Sequence, residues 1–404
     1  MTSSFIRTGS ANTYDNAVRN ITSRQSALSS LQENLTSGKK IVRASDDPTG
    51  AANAERALTR ISRIATDQRA LESQRNAITQ AEGTLGDVTD ALQRFRELVV
   101  NAGNGVHSGA ERRAIAIELQ GLRDEIFSMA NKKDTNGLPL FSALGSALTP
   151  FVGPQAKAPD YTFKGLPGQS ASDDVAIPFA LDGDSAFMHQ PARDQVFNAT
   201  VTNSAAGLIS TDRTLITDNV VMTNSATVST TAAAAAAVAP PNNVPYPKYT
   251  LTFGAVTSDP INPLTGPSTV TYTIAENPIV SAGFPVTSAV ITFTPGKSTS
   301  IAVTEVPGLK FTITGTPKAN DTVTIESSPS VFSVLDDAIK DIGGAANNNG
   351  ATQAVSQALH NIDISMGRVS AIRGQAGDLL NRADRISSNQ EKRSIQLESD
   401  RSRA

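Results

Sequence analysis

The sequence contains no cysteine and no tryptophan, and aromatic residues make up only 5% of it. Without cysteine there are no disulfides, no thiolate metal ligands and no cysteine nucleophile. The compartment stays open, because a cysteine-free chain works equally well inside or outside a cell. Strong charge of either sign is missing too. With 35 basic against 38 acidic residues, there is no electrostatic footprint for nucleic acid or anionic lipid. No run approaches the roughly 18 apolar residues of a membrane span, and the alanine run 232–237 falls far short. The residues MTSSFIRTGSANT carry no apolar core of a secretory signal peptide. His107, His189 and His360 stand singly, away from metal-ligand or catalytic-triad spacing, and are read as surface or cap residues. Gly343-Gly344 is not followed by the Gly-Lys-Ser/Thr of a phosphate loop. Neither a cofactor, a metal site nor enzymatic chemistry is expected.

What the chain does contain is heptad repetition. Ala57, Ile64, Leu71, Ile78, Leu85, Leu92 and Val99 recur every seventh residue. A second row runs through Ile61, Ala81, Val88, Phe95 and Ala102, weakened midway by Gln68 and Gln74. That 3.5-residue seam predicts a helix of roughly 65 Å, which other long helices must cover. In Ser45-Asp-Asp-Pro48, Asp47 reads as the N-cap and Pro48 as the first helical residue, where its missing N–H costs nothing. Asp46 and Asp47 are therefore read as capping residues and not as a carboxylate pair or metal site. Ser108 with Glu111 forms a capping box for a further helix through Ile115, Leu119, Leu122, Ile126 and Met129, ending at Asn131. Before all of these, Tyr14, Val18, Ile21, Leu28, Leu31 and Leu35 predict a first helix that stops at Gly38. Lys39, Lys40 and Arg43 lie just past its end, where positive charge suits the helix dipole. Residues 1–12 are small and polar and are expected to be disordered when free.

After the turn at 134–137 the composition changes. Residues 138–330 are rich in Thr, Ser, Val, Pro and Gly and poor in charge. Alternation at 249–253, 270–274, 290–294, 309–313 and 323–325 predicts strands of an antiparallel sandwich or barrel. Leu181-Asp-Gly-Asp184 reads as a turn, since the remaining ligands of a calcium loop are missing. Residues 223–245 read as a flexible low-complexity loop. Helix returns through Val331, Val334, Leu335, Ala338, Ile339 and Ile342 to Gly343-Gly344. The seam then resumes through Val355, Leu359, Ile362, Met366, Val369, Ile372, Ala376, Leu380, Ala383 and Ile386. The fold class is α+β multidomain: a long antiparallel helical rod or coiled-coil bundle from both termini, with an inserted, mainly antiparallel β domain. The expected divisions are 1–42 for the disordered arm and first helix, 43–137 with 328–404 for the rod, and 138–327 for the β insertion.

The motifs also carry a resemblance. Thr36-Ser-Gly-Lys-Lys-Ile41, then Ser45-Asp-Asp-Pro48 and Gly50-Ala-Ala52, resembles the loop between the first two helices of bacterial flagellar axial proteins. Leu92-Gln-Arg-Phe-Arg-Glu-Leu98, followed by Ala102-Gly-Asn104, is similar to the flagellin-like block that follows. Glu111-Arg-Arg113, Ala130-Asn131 and Asn136-Gly137 continue in register, and Met366-Gly-Arg-Val-Ser-Ala-Ile-Arg-Gly374 is the C-terminal counterpart. Pro48, where flagellins usually carry Ala, and Leu140-Phe141 resemble the hook–filament junction members of this flagellin-like family. Residues 181–187 are similar to a segment recurrent in those members.

The resemblance implies a structural subunit of the bacterial flagellum, exported unfolded through the type III channel. It implies self-assembly into a ring between the first junction protein and flagellin, an export chaperone, and a secreted location at the hook–filament junction. Nucleic acid and membrane insertion play no part in it. On the residues alone, Gln93, Arg94, Arg96 and Glu97 form a solvated helix face; the resemblance implies that they line a subunit–subunit contact. Family members usually continue with one more amphipathic helix that pairs with the first. This chain ends at Arg401-Ser-Arg-Ala404, so the first helix is expected to dock poorly or to project free. The alternatives are a flagellin, the first junction protein, or an adhesin-like binding domain on a helical stalk. The last would need a groove of clustered aromatics, whereas residues 138–330 show mostly isolated Phe and Tyr.

Overall fold

A computed structural model describes residues 10–38, 45, 47–156, 159–203, 214–240, 242–263, 265–345 and 347–403. Lys39, Lys40, Arg43, Asp46 and residues 1–9 of the expected arm lie outside the described residues. Helices α1 (Ser10–Ser37), α2 (Pro48–Ala102) and α3 (Gly109–Ala130) open the chain. Next come β1 (Phe151–Val152), β2 (Thr162–Phe163), α4 (Gly183–Phe187), α5 (Pro191–Asp194), β3 (Phe197–Asn203), β4 (Ile216–Thr217), β5 (Val221–Met222) and α6 (Ser225–Ala236). The strands β6 (Lys248–Phe253), β7 (Ser268–Val270), β8 (Tyr272–Asn277), β9 (Val286–Thr287) and β10 (Ile291–Phe293) follow. The last strands are β11 (Thr299–Val303), β12 (Leu309–Gly315) and β13 (Asp321–Ser327), before α7 (Val331–Gly343) and α8 (Asn348–Arg403) close the chain. The chain divides into two compact units: Met1–Glu72 with Asp174–Ala176 and Ala383–Ala404, and Ser73–Asp173 with Ile177–Arg382.

In the first unit, α1 carries its apolar row into solvent, as expected of an undocked helix. Tyr14 is 71% and Leu35 86% exposed, with Val18, Ile21, Leu28 and Leu31 also exposed. Every residue of the α2 seam from Ala57 to Val99 is buried, and so are Ala81, Val88, Phe95 and Ala102 of the second row. Gln74 does not break that row, because its side-chain oxygen accepts the Ile177 N–H at 3.1 Å. Along α8 the buried seam is Ile362, Val369, Ile372, Ala376, Ala383 and Ile386. In the second unit α2 and α8 run antiparallel, tied by Arg96–Asp363 at 2.8 Å and Arg373–Glu82 at 2.7 Å.

The β strands form two main antiparallel sheets. One has the order β3-β13-β6-β8-β9; the other has β11-β12-β4, with β5 also on β12. They share one core, including Tyr249, Phe253, Ile274, Val303, Ile313 and Val323. A second aromatic core joins the 138–190 segment to the helices. Phe332 of α7 contacts Phe127 of α3, Tyr161, Phe151 and Phe187 at centroid distances of 5.1–5.7 Å. Gly183 is required there, because a Cβ would run into the Phe141 carbonyl.

Three local expectations are corrected. Residues 225–236 are not a flexible loop: they form α6, with Asn224 accepting the Thr227 N–H at 3.1 Å as N-cap. Alanine has the highest helix propensity, and Val228, Thr231 and Ala235 bury one face of α6. Gly308, at φ +74°, passes under this helix where a Cβ would lie 2.8 Å from the Asn224 carbonyl. Leu181–Asp184 is more than a turn, because Asp182 caps α4 through the Asp184 N–H at 3.1 Å. Finally, the start of α8 turns Gln353, Ala354, Gln357 and Ala358 inward, leaving Val355 and Leu359 half-buried.

The reason lies in the edge strand β3, whose outer carbonyls need donors. Gln353 Nε2 donates to Ala199 O at 2.8 Å and to Thr217 Oγ1 at 2.7 Å. Gln357 Nε2 and Asn361 Nδ2 both reach Phe197 O at 3.0 Å. One face of α8 thus acts as the missing neighbour strand of the sheet. Replacing Gln353 with Ala leaves two buried acceptors without this donor and should cost about 1–3 kcal/mol in urea unfolding. Gln357→Ala should cost less, because Phe197 O keeps Asn361.

Candidate functional site

The two helix starts singled out in the sequence are locally closed. Asp47 Oδ1 accepts the N–H of Thr49 at 3.1 Å and of Gly50 at 2.9 Å, with Pro48 as the first helical residue. Ser108 Oγ accepts the Glu111 N–H at 3.3 Å, and Glu111 Oε2 accepts the Ser108 N–H at 2.6 Å. That backbone hydrogen bond holds the Glu111 carboxyl below its usual range. Among the described residues no group of three or more His, Cys, Asp or Glu is placed to hold a metal.

The charged block on α2 splits between two directions. Leu92, Phe95, Leu98 and Val99 are buried, which leaves Gln93, Arg94 and Glu97 exposed and Arg96 half-exposed. Residues two apart on a helix do not share a face. Arg94 accordingly turns to Glu97 at 3.2 Å and to Glu118 of α3 at 3.4 Å. Arg96 turns the other way, to Asp363 of α8, and this hydrogen bond raises its pKa. Gln93, Arg94 and Glu97 therefore form an outward patch with Glu118, while Arg96 belongs to the contact between α2 and α8.

A second polar cluster, which the sequence reading missed, fastens the two ends of the β insertion. Met188 bridges Ser330, the His189 N–H donates to Pro329 O at 2.8 Å, and the Ser328 N–H donates to Val196 O at 3.2 Å. Arg368 of α8 donates to Ser185 O at 2.6 Å and lies 3.5 Å from buried Asp194, which also pairs with Arg193 at 2.8 Å. His189 Nδ1 donates to Ser328 O at 3.3 Å, and the Ser328 hydroxyl donates to Asp337 Oδ2 at 2.6 Å. His189 is buried, not the surface or cap residue its isolation in sequence suggests, and burial pushes it below its ordinary value, against the pull of Asp194. Burial, with Asp341, Asp160 and Glu326 nearby, pushes Asp337 up to about 7. In sequence the only trace of this cluster is a set of isolated polar residues within apolar stretches.

With this architecture in place, the likeness to known proteins is specific. Residues 10–145 match the bacterial flagellin N-terminal helical region. The flagellar filament 41 kDa core protein of Borreliella burgdorferi is 37% identical over 127 residues, covering 31% of this chain and 38% of that protein. The chain is thus flagellin-like in its first helices. The fuller likeness is to flagellar hook-associated protein 3. That protein of Salmonella typhimurium is 33% identical over 149 residues, covering 34% of this chain and 44% of the relative. The chain therefore spans less than half the length of the curated relatives it matches. The fold extends further: the crystal structure of hook-associated protein 3 from Legionella pneumophila aligns at a TM-score of 0.58 with 22% identity, over 85% of this chain and 97% of that one.

Of the shifted groups at the β insertion, His189 and Asp337 link to folding with opposite signs. A histidine with a lowered folded pKa is charged first in the unfolded chain, so its contribution is lost as pH falls from about 6.5. A carboxyl with a raised folded pKa favours the folded state at low pH, and that contribution is lost as pH rises from about 4 to about 7. Asp337→Asn should therefore unfold at a higher temperature than the wild type above about pH 7, and lose that advantage on acidification to about pH 4. Thermal midpoints across this range check it; a pH-independent difference would contradict the assignment.

Proposed function

We propose that the chain is a structural subunit of the bacterial flagellum that joins hook to filament, and not an enzyme. One observation carries this reading: a flagellin-type N-terminal helical stretch sits on the fold of hook-associated protein 3, with its antiparallel rod and β insertion. The subunits pass unfolded through the type III export channel, accompanied by an export chaperone. They then polymerise as a ring on the first junction protein, with flagellin above, outside the cell.

The exposed apolar row of α1 supports a role completed only on assembly, since a segment ordered by docking stays unpaired beforehand. Gln93, Arg94 and Glu97 are the side chains we assign to the neighbouring subunit. Arg96 serves the contact mainly by holding α2 against α8. A flagellin is the second reading, favoured by the Borreliella filament core protein. Pro48 and the long β insertion weigh against it.

Arg94→Glu tests the contact. It breaks only exposed ion pairs, each worth about 0–1 kcal/mol, so folding should be nearly unchanged. A strain carrying it should nevertheless swim poorly and shed unpolymerised flagellin, as a strain lacking the gene should. Unchanged junction assembly with Arg94→Glu overturns the contact. Normal swimming and filament retention without the gene overturns the junction role itself.

A further inference from the structure

Arg112 of α3 is only 4% exposed, yet among the described residues it makes no ion pair. Its hydrogen bonds go to neutral oxygens on two different turns. Nη1 donates to His107 O at 2.7 Å and to Asn348 Oδ1 at 3.3 Å, and Nη2 donates to Ala345 O at 3.4 Å. Nε is sealed from water without a partner. His107 lies between α2 and α3; Ala345 and Asn348 lie at the passage from α7 to α8. Asn348 Nδ2 closes the arrangement by donating to Gly105 O at 3.1 Å. Glu111, next to Arg112 in sequence, is turned to the Ser108 N–H.

Among the described residues this guanidinium donates to no carboxylate, although the Glu111 charge acts on it through space, and enclosing it is costly unless oriented dipoles replace water. Here those dipoles are the backbone carbonyls of His107 and Ala345 and the side-chain carbonyl of Asn348. We propose that Arg112 is a tethered cation in a carbonyl cage, and that its charge and fork geometry, beyond its bulk, lock the two inter-helix turns together. The turn between α2 and α3 is further fixed by Val106 N–H to Asn104 Oδ1 at 3.2 Å and His107 N–H to Asn104 O at 3.1 Å. It presents Val106, 87% exposed, on a backbone that is set before any partner arrives.

Amide hydrogen exchange on the full chain, at 104–108 and 348–351, tests the cage. Arg112→Ala and the neutral, similarly sized Arg112→Met should both lose protection there by roughly tenfold or more. Guanidinium chloride far below denaturing concentration should restore protection in Arg112→Ala. It should not do so in Arg112→Met, where the side chain fills the cage, and neither urea nor sodium chloride at equal concentration should rescue either. Full protection in Arg112→Met would overturn the role of charge, whether or not Arg112→Ala folds. Failure of guanidinium to rescue a folded Arg112→Ala would overturn the cage.

Discussion

Helix α8 has to satisfy two neighbours of opposite chemistry, and much of the second unit depends on how it does so. Its apolar stripe, Ile362, Val369, Ile372 and Ala376, lies along the rod and is buried. A quarter-turn away, Gln353, Gln357, Asn361 and Ser365 recur every fourth residue and are buried as well. Gln353, Gln357 and Asn361 are so placed because a sheet edge needs donors that an apolar face cannot give, while Ser365 donates to Asn361 O at 2.9 Å. The same helix therefore acts as a coiled-coil partner on one side and as a strand surrogate on the other. Had the amide row been apolar, the β3 carbonyls at Phe197 and Ala199 would have lost those partners, and an open strand edge would invite pairing with another chain.

The same device recurs at other junctions. Asn131, at the end of α3, uses its amide like a strand residue: it donates to Phe151 O at 3.1 Å and accepts the Phe151 N–H at 3.0 Å. Arg193 and Arg368 reach the carbonyls of Met188 and Ser185. Ion pairs such as Arg94–Glu118 lie on exposed surface and add little to stability. In a chain with few charges and no disulfides, side chains bonded to the main chain hold the junctions.

This explains which features could be read from the sequence. The α2 seam and the ends marked by Asp47, Ser108 and Gly343 depend on local period and local capping chemistry, so they were visible. The alternating strands at 249–253, 309–313 and 323–325 were visible for the same reason. Helix α6 was hidden by its Ala and Thr content, which resembles a linker until Val228 and Ala235 are known to face a core. The amide row was hidden because Gln353 and Gln357 read as solvent-facing until a sheet edge is placed beside them. The Arg94–Glu97 block was legible as charge but not as direction. Nearness in sequence concealed that Arg94 and Arg96 point to different helices.

The ion pair between Arg96 and Asp363 joins residues 267 apart in the chain. Closing so long a loop is entropically costly before any contact rewards it, and topologies built on such contacts fold slowly. In the second unit the stripe of α2 is thus covered by a helix that lies far along the chain. Sequence separation itself sets which contacts of the rod are costly to close.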